Sequence, residues 1–174
     1  MSANISQGVS PDDALTAANV LSRPAEEFGN DPTLESAWAL KAIEHMEVYF
    51  NQLLCSVDPQ ILRLTPHDNT IYEKFRGEFP DFNVKLISED QLKSREAKEK
   101  WRSFCNQFDG KVEDFNFGTL VRLDSQKDYS EENTIFVTRI QFYAIEIARN
   151  KEGHNDCIRT VYKPSSRKSN KSNS

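Results

Sequence analysis

The sequence predicts a mainly α fold: one compact helical domain built around a long central helix pair, with disordered tails. Three observations carry that expectation. The 174 residues suffice for about one core. Apolar residues recur at steps of three and four through most of the middle of the chain. Several of those runs open on an Asp or Thr followed by Pro, the punctuation of a helix start. Hydrophobic content is only 37% and mean hydropathy −0.67, yet there are 11 Phe, 5 Tyr and 2 Trp. Polar tails diluting an ordinary core account for both facts.

Residues 1–28 read as a flexible N-terminal tail in which 11–21 can form a short helix: Ser10 is its cap, Pro11 opens it, and Leu15, Ala18 and Leu21 share one side. Residues 29–157 read as the helical core domain. Its first helix, "NDPTLESAWALKAIEHMEVYFNQLL", places Trp38, Ala42, Met46, Tyr49 and Leu53 on one stripe, broadened by Ile43 and Phe50. "VDPQILRL" makes a short turn. "TPHDNTIYEKFRGEF" follows, anchored by Ile71, Tyr72, Phe75 and Phe79 and stopped by Pro80. "SEDQ" at 88–91 has capping-box spacing. From there Trp101, Phe104 or Cys105, Phe108, Val112 and Phe115 predict one long helix that runs through Gly110 and stops near Gly118. "TLVRLD" fits either a short extended segment near 118–124 or another turn of helix. A second long helix is expected from Ser130 to Gly153; apolar on more than one side, it should be central. Residues 158–174, ending in "KPSSRKSNKSNS", read as a disordered basic tail.

Composition narrows function. The net charge of −5 lacks the clustered basic surface of a dedicated nucleic-acid binder in the folded region. No run approaches the ~20 apolar residues of a membrane span, and "MSANISQGVSPDD" has no signal-peptide pattern. Cys55, Cys105 and Cys157 form no Cys-x-x-Cys pair, which fits reduced thiols in a cytoplasmic setting. His45, His67 and His154 sit in separate elements, so no metal is expected. Neither G-x-x-x-x-G-K-[ST] nor G-x-G-x-x-G occurs, so no nucleotide cofactor is expected. In "AKEKWR", Trp101 belongs to the core stripe rather than to an RNA-stacking surface.

One constellation resembles catalytic machinery: Glu113, Asp114, Arg122, Asp124, Arg139 and Glu146, joined by Arg149. Paired carboxylates split by burial can act as acid and base. The competing reading is a structural charge cluster, in which Arg139 and Arg149 leave the central helix to meet Glu113, Asp114 or Asp124. The second reading is the one expected, with no catalytic residue among them.

"GNDP" (29–32), "SVDPQILRLT" (56–65), "AKEKWRSF" (97–104), "VEDFNFGTLVRLD" (112–124) and "EENTIFVTRIQFYAIEIARNKEGHN" (131–155) resemble the polysaccharide biosynthesis domain-containing protein 1 family. The likeness covers about 29–157. It implies a compact, mainly helical, cytosolic and non-enzymatic protein. Such members are regarded as dedicated chaperones of translation elongation factor 1-alpha. They hold its nascent GTP-binding domain near the ribosome, together with the nascent polypeptide-associated complex, until GTP binds. The family name also suggests a sugar-modifying enzyme, the alternative reading. No residue-level partner surface is implied.

Overall fold

The computed structural model describes residues 32–162. The expected N-terminal helix at 11–21 and the basic segment from 163 onward lie outside the described residues. About half of the described chain is helical: α1 (Pro32–Glu47), prolonged by a π-helical segment (Val48–Leu54), then α2 (Asp68–Glu78), α3 (Asp90–Lys93), α4 (Arg95–Asn106), α5 (Arg139–Glu152) and α6 (Ile158–Val161). Between α4 and α5 lie β1 (Gly118–Arg122) and β2 (Thr134–Thr138), an antiparallel pair in which Leu120 faces Phe136 and Val121 faces Ile135.

The mainly α expectation is therefore corrected to a mixed α/β fold, and the long central helix pair to two shorter helices of 12 and 14 residues. Each error has a local cause. The run from 88 is broken at Ser94, whose extended backbone ends α3 and whose Oγ accepts the Ala97 amide to start α4. Gln91 Oε1 accepts the Ser88 amide at 3.0 Å, so one half of the expected capping box forms. α4 stops at Asn106; Gly110, at φ +71, turns the chain instead of continuing the helix. Gly118, expected as a stop, starts a strand. The segment from Ser130 opens as β2, because Ile135 and Val137 alternate inward while Thr134 and Phe136 face out. α5 starts only after Thr138, where a full capping box with Gln141 closes. Gly153, left-handed at φ +82, ends it as its sequence position predicts.

The N-terminal stripe is buried at Ala42, Tyr49 and Phe50, while Ile43 stays exposed. The wider π turn lets consecutive Tyr49 and Phe50 both reach the core, together with Leu54. α5 fills the centre, buried from Ile140 to Asn150 except at half-buried Tyr143. The ordered chain continues past 157: Ile158 is fully buried and the Tyr162 ring meets Phe50 edge-on at 5.5 Å. A domain boundary at 157 thus falls one residue before α6.

Candidate functional site

The charged candidates separate into a buried centre and a rim. Arg122 comes from the end of β1, Glu146 and Arg149 from α5, and all three side chains have no solvent exposure. Glu146 Oε1 accepts from Arg149 Nη1 at 2.7 Å. Its Oε2 accepts from Tyr49 Oη at 2.8 Å, from Asn155 Nδ2 at 2.9 Å and, at 3.5 Å, from Arg122 Nη2. Arg122 is held further by the carbonyls of Ser125 (2.7 Å) and Lys127 (3.2 Å) and by Asn155 Oδ1 (2.7 Å). Its guanidinium carbon lies 5.4 Å from the Phe50 ring centroid and 5.8 Å from that of Tyr129. Arg149 donates to the carbonyls of Val84 (2.6 Å), Arg122 (2.7 Å) and Leu123 (3.1 Å).

This network joins four parts of the chain. Burial would raise the Glu146 pKa, but the charges of Arg122 and Arg149 and the hydrogen bonds from Arg149 and Asn155 outweigh it. The carboxyl is held below its ordinary 4.5. Two guanidiniums around one carboxylate leave an excess positive charge, spread over backbone carbonyls and aromatic faces. Such a centre binds its own chain together, and every oxygen of Glu146 is engaged.

The rim is different. Arg139 Nη1 meets Asp114 Oδ2 at 3.6 Å, both side chains partly exposed. Asp114 has φ 55, the left-handed turn that lets the following residues double back. The carbonyls of Phe115 and Phe117 then accept the amides of Ile140 and Arg139 at 2.8 and 2.7 Å, satisfying two open donors of the first turn of α5. Glu113 is exposed and stands apart from the buried centre. Asp124 accepts the Gln126 amide and pairs with exposed Lys127 at 3.7 Å. Arg149 therefore meets Glu146 and backbone carbonyls, not Glu113, Asp114 or Asp124.

Tyr49, which the sequence marks only as a core-stripe residue, completes the centre with Asn150 and Asn155, neither of them part of the expected cluster. A helical wheel carries part of the signal: Glu146, Arg149 and Asn150 fall at i, i+3 and i+4 among Ala144, Ile145, Ile147 and Ala148 of α5. Asn133, equally unanticipated, ties the β1–β2 connection, accepting the Asp124 amide and donating to the carbonyls of Asp124 and Asp128. Among the described residues there is no group of three or more His, Cys, Asp and Glu able to hold a metal. No helix among them is long and apolar enough to cross a membrane.

Fold and centre together define a mixed α/β domain knit by a buried arginine–glutamate network. The chain belongs to the PBDC1 family: the family model described as "PBDC1 protein" matches residues 34–160. Protein PBDC1 of Mus musculus is 55% identical over 146 residues, 84% of this chain and 73% of that protein. The Homo sapiens protein is also 55% identical, over 83% of this chain and 61% of its own length. The Saccharomyces cerevisiae homolog is 48% identical over 77% of this chain and 94% of its own. A solution NMR structure of a Saccharomyces cerevisiae protein, 45% identical, superposes with a TM-score of 0.70, covering 78% of this chain and 96% of that one.

Proposed function

We propose that the protein is a cytoplasmic, non-enzymatic binding protein, a dedicated chaperone of translation elongation factor 1-alpha. The observation that carries the non-enzymatic reading is the burial of the Arg122–Glu146–Arg149 network, whose three side chains have no solvent exposure. The acid and bases best suited to chemistry are engaged with one another inside the core, so the chain meets other molecules through its surface. The particular client comes from the family resemblance.

A chaperone lacking an ATP site takes its release signal from the client. GTP binds the folded GTPase domain and not the unfolded one, and at a hundred times its Kd stabilises the folded form by about 2.7 kcal/mol. Folding then withdraws the surface that the chaperone holds. A net charge of −5 on the chaperone favours encounter with a basic, tRNA-carrying client. Placement near the ribosome with the nascent polypeptide-associated complex belongs to the same proposal.

The test is selective recovery of ribosome-bound nascent chains on the tagged full-length protein, followed by depletion. Nascent elongation factor 1-alpha should be enriched, and its soluble level should fall on depletion. Absence of that nascent chain together with an unchanged soluble level sinks the proposal.

A further inference from the structure

We propose that Lys93, Arg95, Lys98 and Arg102 form a docking strip for the phosphate backbone of single-stranded RNA, with the exposed ring of Phe136 as an adjoining stacking platform. Residues 93–102 hold five cations and two carboxylates, a local basic cluster that the net charge of −5 conceals and that the composition-based expectation of no clustered basic surface missed. The four named cations line one shallow groove with a single carboxylate, Glu99, which lies 3.8 Å from Arg95. Arg95, Lys98 and Arg102 follow one another at i, i+3 and i+7 along α4, so at ~1.5 Å rise per residue they span roughly 10 Å in a line. A linear row ending in guanidinium forks matches a linear polyanion.

Phe136 adds what a purely electrostatic surface lacks. Lys93 Nζ donates to its backbone carbonyl at 2.8 Å, which joins the strip to β2. The ring lies across bare backbone: a Cβ at Gly118 would fall 1.9 Å from Phe136 Cζ. The residue is nevertheless 44% exposed. A flat ring supported from below and open to solvent, on the residue whose carbonyl Lys93 holds, is the arrangement on which unpaired bases stack. An acidic polypeptide would use the cations and leave the ring idle, which is why RNA is the better fit. The strip is separate from Trp101, whose ring is buried against Phe79. Recognition is of backbone and π-face, without base-edge readout. The inference does not depend on the client reading, because purified protein and RNA suffice to test it.

Fluorescence anisotropy of the full-length chain with a labelled oligouridine 20-mer, at 50 and 200 mM salt, is the measurement. Arg95→Gln/Lys98→Gln/Arg102→Gln should bind at least about tenfold more weakly at 50 mM. Its log–log salt slope should be shallower by about 2, at ~0.7 for each lost phosphate contact. Phe136→Ala should weaken binding about fivefold or more. Circular dichroism melts of both variants should match the parent. No RNA binding, unchanged affinity and slope in the triple variant, or displacement of RNA by polyglutamate at equal charge would each overturn the proposal.

Discussion

The two halves of the core are equally dry and are held together by different physics. In one, Phe75, Phe79, Phe82, Trp101 and Phe104 pack ring on ring, with Phe79 stacked on Trp101 at 4.3 Å and Phe82 edge-on to it at 5.6 Å. The Trp101 indole donates to the Gln91 carbonyl at 3.0 Å, so even its polar atom is satisfied. In the other, Glu146, Arg122 and Arg149 are as buried as Phe104 but held by directional bonds. Apolar contacts degrade gradually when shape changes. A buried charge network has no graded response, because removing one member leaves the others uncompensated.

Conservative substitutions should expose that contrast most sharply. Glu146→Gln keeps the shape but strands two buried guanidiniums, and urea unfolding should show a loss of about 3–5 kcal/mol. Phe104→Leu in the aromatic half keeps most of the volume and should cost about 1.5 kcal/mol or less by the same assay. Similar losses at the two sites would erase the distinction.

Acid sharpens the comparison next. The folded pKa of Glu146 lies below 4.5, so its stabilising contribution is complete above that pH and is lost as pH falls further. His45 adds a second, earlier loss. Desolvation and then the nearby Arg139 charge lower it from 6.5 to about 4. Its Nδ1 is hydrogen-bonded to Thr119 Oγ1 at 2.7 Å, and its ring is edge-on to Phe142 at 4.8 Å, docking α1 on β1. Between pH 6.5 and 4 the unfolded chain gains a proton that the folded chain refuses, so stability falls through that window. Thermal melts should show a Tm that declines from pH 6.5 downward. His45→Gln should flatten the decline above pH 4.5 and leave the steeper loss below it. A Tm independent of pH between 6.5 and 4.5 in the parent would contradict the assignment to His45.

The smallest effect belongs to the rim. Asp114→Asn removes a partly exposed partner of Arg139 and keeps the residue type tolerant of a left-handed backbone. The expected loss is about 0–1 kcal/mol in urea unfolding. A loss comparable to Glu146→Gln would mean that rim and centre form one network.

The aromatic half was largely legible. Phe75, Phe79, Trp101, Phe104, Phe108 and Val112 were placed in the core by periodicity alone, and all are buried. The polar half was legible in membership, through Arg122, Glu146 and Arg149, but not in pairing. Arg149 finds Glu146 one turn away and the carbonyls of a distant loop, because α5, β1 and the 84–87 segment converge there. Spacing along the chain contains no information about that convergence. The extended alternative at 118–124 is met by β1, but the second strand was missed for a related reason: "TIFVT" continues a helical apolar pattern, and only pairing with β1 makes it a strand.

By itself, the sequence determined the aromatic core around Phe75, Trp101 and Phe104, where Pro80 and Gly153 stop their helices, and which family the chain belongs to. These rest on local sterics, side-chain polarity and the length of matching strings. Tertiary structure alone decided that residues 118–122 and 134–138 pair, that the helix after Ser130 waits for Thr138, and that Glu146 serves two arginines at once. A strand is completed by its partner's amides and carbonyls, and a buried charge by whichever donors the fold brings within about 3 Å.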